Sequence, residues 1–171
     1  MFNEKNMIQR RLLLIGLIGA SLSSCSSWFR QKELPEITQI VVFKKSRKLY
    51  LYSGNKAVRS YDIDLGFSPT GDKKIEGDGK TPEGRYYIDR KNPNSAYHLS
   101  LGISYPNKKD KSEAKTLGKP PGKDIFIHGR VGFFGRRPKK DWTWGCVSVS
   151  NSDIEEIYQL VDIGTVIDIN P

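Results

Sequence analysis

One cysteine and one histidine carry the chemistry this chain could perform. Cys146 lies in Trp142-Thr143-Trp144-Gly145-Cys146-Val147-Ser148-Val149, a glycine turn opening into an apolar run. His128 stands before Gly129, eighteen residues earlier, and is one of only two histidines. A thiol of ordinary pKa, about 8.5, is mostly protonated at neutral pH and needs a base. An imidazole can take that proton and hold the thiolate, so the expected chemistry is nucleophilic catalysis with Cys146 as nucleophile and His128 as base. The bland alternative is a buried, inert cysteine. The other histidine, His98, reads as a structural or cleft-wall residue. No spacing suits a metal site, since zinc would need Cys146, both histidines and a carboxylate together. Asp72 and Asp78 lack the ladder of a calcium loop. No metal or other cofactor is expected.

The N-terminus accounts for the second cysteine. Lys5, Arg10 and Arg11 precede an apolar run over residues 12–20, and a small-residue stretch ends at Ser24-Cys25. This is the layout of an export signal. The run is too short to span a bilayer as a helix, which takes about 20 apolar residues. Leu22-Ser23-Ser24-Cys25 resembles a bacterial lipobox. That resemblance implies a signal peptide over 1–24, lipid on Cys25 and a lipidated tether over 25–35. Two or three acyl chains anchor stably where one is marginal. Ser26, in place of Asp, favours the outer membrane under the Gram-negative sorting rule, so the expected location is the periplasmic face of the envelope. With Cys25 lipidated, Cys146 has no disulfide partner.

The chain has 171 residues, with 28 Lys and Arg against 19 Asp and Glu, a formal net charge of +9. A basic surface suits an anionic partner such as a carboxylate-rich wall polymer or lipid headgroups. The export signal excludes nucleic acid as the expected partner.

The elements that must position the pair read mainly as strands. Residues 37–43, 49–52 and 58–66 form a meander joined by short polar turns. A long Gly-, Asp- and Lys-rich loop covers 67–82. Strands follow at 84–88 and 99–105, and 107–123 reads as loop. The strand 124–128 delivers His128 at its end, 132–140 is loop, and 146–149 is strand. One helix is expected next, capped by Ser152 with Glu155 completing a capping box, and ending at Gly164. Ile154, Ile157, Tyr158 and Val161 recur along it at helical spacing. A closing strand covers 166–169. The class is mainly β with one packed α-helix.

Several segments together resemble one family. His128-Gly129, fourteen intervening residues (129–142) and Thr143-Trp144-Gly145-Cys146-Val147 match the pattern of the YkuD-type L,D-transpeptidase catalytic domain. Gly71-Asp72-Lys73, residues 76–84 (EGDGKTPEG), Ser104-Tyr105-Pro106-Asn107 and Asp141-Trp142-Thr143 are most similar to its YafK-like branch. The resemblance covers residues 36–171 and implies a small β-sandwich-like catalytic domain with its site in a cleft. It implies that Cys146 is the nucleophile, that His128 is base and then acid, and that the Gly129 carbonyl fixes the imidazole tautomer. The main-chain N–H groups of Cys146 and Gly145 would donate to the oxyanion. Thr143, Trp144, Tyr105 and Arg130 are candidate substrate contacts. Two departures stand out: Trp144 replaces the usual histidine, and Ser148 the arginine of many members, removing a carboxylate clamp. Arg130, Arg136, Arg137 and Lys139 are candidates to supply that charge.

The implied reaction is acyl transfer on peptidoglycan stem peptides. It forms a thioester at the third residue, diaminopimelate, and releases D-Ala. Transfer to a second diaminopimelate amine gives a 3–3 cross-link; transfer to an envelope-protein lysine gives attachment. Alternatives are an L,D-carboxypeptidase or amidase that hydrolyses the same acyl-enzyme, and a peptidoglycan-binding lipoprotein without catalysis. A papain-like protease is disfavoured, because there cysteine precedes histidine.

Overall fold

A computed structural model of the chain describes residues 34–130 and 139–171. The expected signal peptide, Cys25, Ser26, most of the expected tether, Arg136 and Arg137 lie outside the described residues. Strands β1 (Gln39–Phe43), β2 (Lys48–Ser53) and β3 (Lys56–Asp62) form the expected meander. After it come β4 (Gly84–Ser95), β5 (His98–Ile103), helix α1 (Lys108–Thr116), β6 (Phe126–His128), β7 (Val147–Ser148), helix α2 (Asn151–Leu160) and β8 (Val166–Asn170). The strands make one sheet in the order β3-β2-β1-β8-β4-β5-β6-β7. β8 runs parallel to β1 and antiparallel to β4, so the last strand is wedged into the middle of the sheet.

β4 is long and its register with β5 shifts twice, between Ile88 and Arg90 and between Asn92 and Ser95. Such bulges bend a strand and increase its twist. Its first half pairs with β8 and its second half with β5, so it belongs to both halves of the curled sheet. The chain just after β3 then bridges to the far edge: Asp64 pairs with Ser148, and Gly66 with Thr143. The two ends of the sheet thereby meet. They enclose one core, in which Ile40, Leu49, Leu51, Leu65, Ile127, Val147 and Ile167 are wholly buried.

The helices depart from the sequence reading in two ways. α1 falls in a segment expected to be loop. Asn107 caps it by accepting from the N–H groups of Lys109 and Asp110, and the Asp110 carboxylate accepts in return from Asn107 N–H. Ala114 is its only buried apolar side chain, so no apolar stripe announces it. α2 is where it was expected, but its cap is Ser150, whose hydroxyl accepts from Asp153 N–H at 3.1 Å. Ser152 lies inside the first turn, and Glu155 is paired with His98 at 2.6 Å instead of closing a capping box. The helix stops at Leu160, four residues before Gly164.

Candidate active site

The short parallel pair β6 and β7 brings the two reactive residues together. Ile127 lies opposite Val147, and His128 opposite Ser148. Ile127 and Val147 point into the core. Side chains alternate along a strand, so His128, Ser148 and, one residue before β7, Cys146 take the other face. Cys146 is two positions from the residue paired with His128. With strands near 4.8 Å apart and about 3.3 Å of rise per residue, their Cα atoms lie roughly 8 Å apart.

His128 is 4% exposed. Its Nδ1 donates to the Gly129 carbonyl at 2.6 Å, which leaves Nε2 as the lone-pair nitrogen of the neutral ring. The Ser148 hydroxyl donates to the same carbonyl at 3.4 Å. The Tyr97 ring covers the imidazole at 4.6 Å, and Trp142 meets it edge-on at 5.6 Å. Burial pushes the imidazole pKa below its ordinary 6.5, against a smaller opposing effect of the bond to Gly129. Gly129 cannot be larger, because a Cβ there would come within 2.6 Å of Asn151 Oδ1 and 2.9 Å of the Tyr97 carbonyl. Asn151 Oδ1 is itself fixed, accepting from Arg130 N–H at 2.7 Å.

The turn before Cys146 is locked from inside. Thr143 Oγ1 donates to the Cys146 carbonyl at 2.8 Å and accepts from Gly145 N–H at 3.1 Å. Gly145 has φ +123, and a Cβ on it would lie 2.5 Å from the Lys80 carbonyl. Both facts demand glycine. Arg47 holds the approach to the turn through two bonds to the Asp141 carboxylate, at 2.8 and 2.7 Å. Asp141 also accepts from Leu65 N–H at 3.1 Å.

Cys146 is partly buried and unpaired, and its thiol donates to the Asp124 carbonyl at 3.6 Å. No hydrogen bond joins it to the His128 ring in this resting arrangement. Burial raises the thiol pKa; the Phe126 N–H and the charge of Lys73 partly offset that rise. The sulfur opens onto a cavity of about 310 Å³ between two loops, lined by Lys73, Glu76, Gly122, Lys123, Asp124 and Trp144, among others.

The expected substrate contacts separate. Trp144 is 72% exposed on the cavity rim, its ring edge-on to Phe67 at 4.9 Å. Thr143 is buried and spent on the turn. Tyr105 is buried, its hydroxyl donating to the Pro121 carbonyl at 2.7 Å. Arg130 pairs with Asp64 at 3.3 Å, and Lys139 is exposed away from the cavity lining. The Gly145 N–H, expected to face an oxyanion, is taken by Thr143. Tyr97, Lys73 and Asp124 were not singled out as site residues. Lys73 sits in the Gly71-Asp72-Lys73 motif, which was a usable signal; nothing local to Tyr97 or Asp124 marks them. Among the described residues, no three His, Cys, Asp or Glu side chains converge as a metal site would need.

The fold is a curled β-domain that brings a cysteine, one residue before β7, beside a tautomer-fixed histidine at the end of β6. Residues 37–169 match the L,D-transpeptidase catalytic domain, YkuD, and the chain belongs to that family. It is 30% identical over 154 residues, 85% of its length, to YafK of Escherichia coli (strain K12), which bears the name of an L,D-transpeptidase. The chain spans 56% of that relative's length. Among solved structures it is similar to the helical cell shape determining protein Pgp2 of Campylobacter jejuni, at 31% identity and a TM-score of 0.62. That match covers 78% of this chain and 47% of Pgp2. Bd1075 of Bdellovibrio bacteriovorus matches at 27% identity and a TM-score of 0.57, over 82% of this chain and 49% of Bd1075.

Proposed function

We propose that the chain is a cysteine acyltransferase acting on peptidoglycan stem peptides. The observation that carries this reading is the 2.6 Å bond from His128 Nδ1 to the Gly129 carbonyl, beside a thiol that opens onto a cavity. The bond leaves Nε2 basic and on the same face as Cys146. Rotation of the thiol from the Asp124 carbonyl toward Nε2 lets the imidazole take its proton; such contacts are often loose without substrate. The thiolate attacks the carbonyl of the third stem residue. The amide C–N bond breaks, and His128 returns the proton to the leaving amine of D-Ala. A thioester remains, which an amine acceptor resolves to a new amide, regenerating the thiol. The Cys146 N–H is left as the main-chain donor to the oxyanion, a kind of contact that contributes about 3 kcal/mol to a transition state.

Family membership and the likeness to a cell-shape protein support a role in shaping the wall. We propose further that the protein is exported and lipidated on Cys25, with its catalytic domain on the periplasmic face. Intact-mass measurement of the membrane-extracted protein tests this: the expected mass is that of a chain beginning at an acylated Cys25, and an unmodified Met1 form sinks it. The enzymatic reading is tested by incubating the purified protein with tetrapeptide muropeptides. Loss of D-Ala with 3–3 dimers or protein adducts supports transfer. Tripeptide alone makes water the acceptor, and no change refutes the reading.

A further inference from the structure

Ser148, expected above to leave the site without an arginine clamp, is fully buried with its hydroxyl turned to the Gly129 carbonyl. Arg130, an expected substitute, turns to Asp64 at 3.3 Å and does not line the cavity beside Cys146. Among the described residues, the cavity beside Cys146 has two cations, Lys73 and Lys123. They differ in kind. Lys123 is 82% exposed, so its charge is screened and its position unfixed. Lys73 is 4% exposed, and its ammonium is pinned by the Ile75 carbonyl at 3.1 Å and Asp78 Oδ1 at 2.8 Å.

An ammonium has three N–H donors, and these two bonds use two of them. No acceptor for the third is found among the described residues. Nor does Asp78 fully cancel the charge. Its carboxylate also accepts from the N–H groups of Lys74, Ile75 and Lys80, so its negative charge is shared among four donors. Two anions border the same cavity, yet Glu76 is exposed to water and Asp124 is drawn outward to Arg90 at 3.0 Å. The Lys73 charge is buried and fixed in place, so it is only weakly screened. It is near enough to favour the Cys146 thiolate.

We propose that Lys73 recognises the terminal carboxylate of the donor peptide. The proposal rests on the acyl-transfer reading above. In a stem tetrapeptide the carbonyl under attack belongs to the third residue, and the main-chain terminal carboxylate belongs to the fourth. That carboxylate therefore lies one residue, about 3.8 Å of Cα spacing, beyond the attacked centre. A buried ammonium lining the nucleophile's own cavity, with one donor unassigned, is the complementary group. A charge-assisted hydrogen bond of this kind fixes where the peptide ends, so Lys73 selects tetrapeptides with a free carboxyl terminus over capped or extended ones.

The test uses the full chain, purified in detergent, with two donors: the stem tetrapeptide ending in D-Ala carboxylate, and the same peptide ending in the carboxamide. The expected result is a kcat/KM ratio of acid to amide of about tenfold or more for the wild type. Lys73→Met should bring the ratio close to one, and Lys73→Arg should restore part of it. A wild type indifferent to the cap overturns the proposal without any variant. So does a Lys73→Met protein that loses turnover of both donors equally, since that is the signature of a merely structural lysine. Alkylation of Cys146 by iodoacetamide, read by mass, reports whether the variant keeps a reactive, folded site. Turnover of neither donor by a wild type whose Cys146 alkylates normally refutes the acyl-transfer reading itself. That outcome differs from equal turnover of both donors, which removes only the role of Lys73.

Discussion

The two halves of the candidate site are built in opposite ways. His128 sits in a closed, aromatic pocket beneath Tyr97 and against Trp142, with one hydrogen bond that fixes its tautomer. Cys146 sits at the floor of an open cavity whose walls carry Lys73, Glu76, Lys123 and Asp124. Burial nonetheless acts on both in the same sense, against the charged form. It lowers the imidazole pKa and raises that of the thiol. At rest the pair is therefore neutral, a thiol beside an imidazole. Charge separation waits for something that enters the cavity side. On the acyl-transfer reading proposed above, the closed side holds the base in one orientation, and the open side gives the room for a peptide.

The most damaging way to break this arrangement is to remove the sulfur. Cys146→Ala should lower acyl transfer by at least about 10⁴-fold, as loss of a nucleophile typically does. On the acyl-transfer reading the wild type should form a mass adduct with a carbapenem and the variant should not, and an adduct on the variant would place the nucleophile elsewhere. Next comes the closed side. His128→Gln should cost about 10²- to 10⁴-fold in kcat/KM. Cys146 should stay alkylatable in that variant, but only as pH climbs through and beyond the ordinary thiol value, because the raised pKa is then unassisted. Rapid alkylation at neutral pH in His128→Gln would show that the open side activates the thiol alone.

A milder change sharpens the comparison. Tyr97→Ala opens the imidazole pocket to water while leaving the cavity walls in place. The acid limb of kcat/KM reports the base of the free enzyme. In the wild type it should fall below pH 6.5, since burial holds His128 under that ordinary value. Below its pKa the base is protonated and inactive, so rehydration moves the limb up toward 6.5. The variant should lose activity near pH 6 and keep most of it near pH 8. A pH profile that does not move would mean Tyr97 is not what dries the ring.

The same asymmetry decides what could be read from the chain alone. Alternating strands such as 37–43 and 166–169 declare themselves, because each buries one face against a common core. The Cys146 and His128 pair was legible because glycines flank it: Gly145 needs φ +123 and Gly129 a crowded approach to Asn151. The closed side was not legible. Tyr97 reaches His128 because it sits in the turn just before β5, whose Ser100 pairs with His128 on β6, a contact spanning thirty-one residues with no local mark. The open side was misassigned for a similar reason. For its charge the sequence points to the loop between the pair, at Arg130, Arg136, Arg137 and Lys139, whereas the curl of the sheet brings Lys73 to the Cys146 cavity from the loop before β4. A capping pair, Asn107 and Asp110, does stand at the start of α1, but without an apolar face on the helix the segment reads as loop.

That helix permits the gentlest test, confined to the open side. α1 braces the loop that carries Lys73: Glu113 on the helix pairs with Lys74 at 2.5 Å, and Lys74 also holds Asp72 at 2.8 Å. Both pairs are partly exposed, so each contributes little alone. The brace depends on the helix being formed, and Asn107 starts it. Asn107→Ala removes the acceptor for two N–H groups and should cost about 1 kcal/mol of stability, read as a lowered melting temperature. If the open side is a loop held in place by α1, KM for the donor should rise modestly while kcat and the acid limb stay put, because among the described residues no hydrogen bond or ion pair links α1 to His128, Tyr97 or Trp142. A shift of the acid limb in this variant would mean that the two sides are mechanically coupled, and the division between a fixed base and an adaptable cavity would have to be given up.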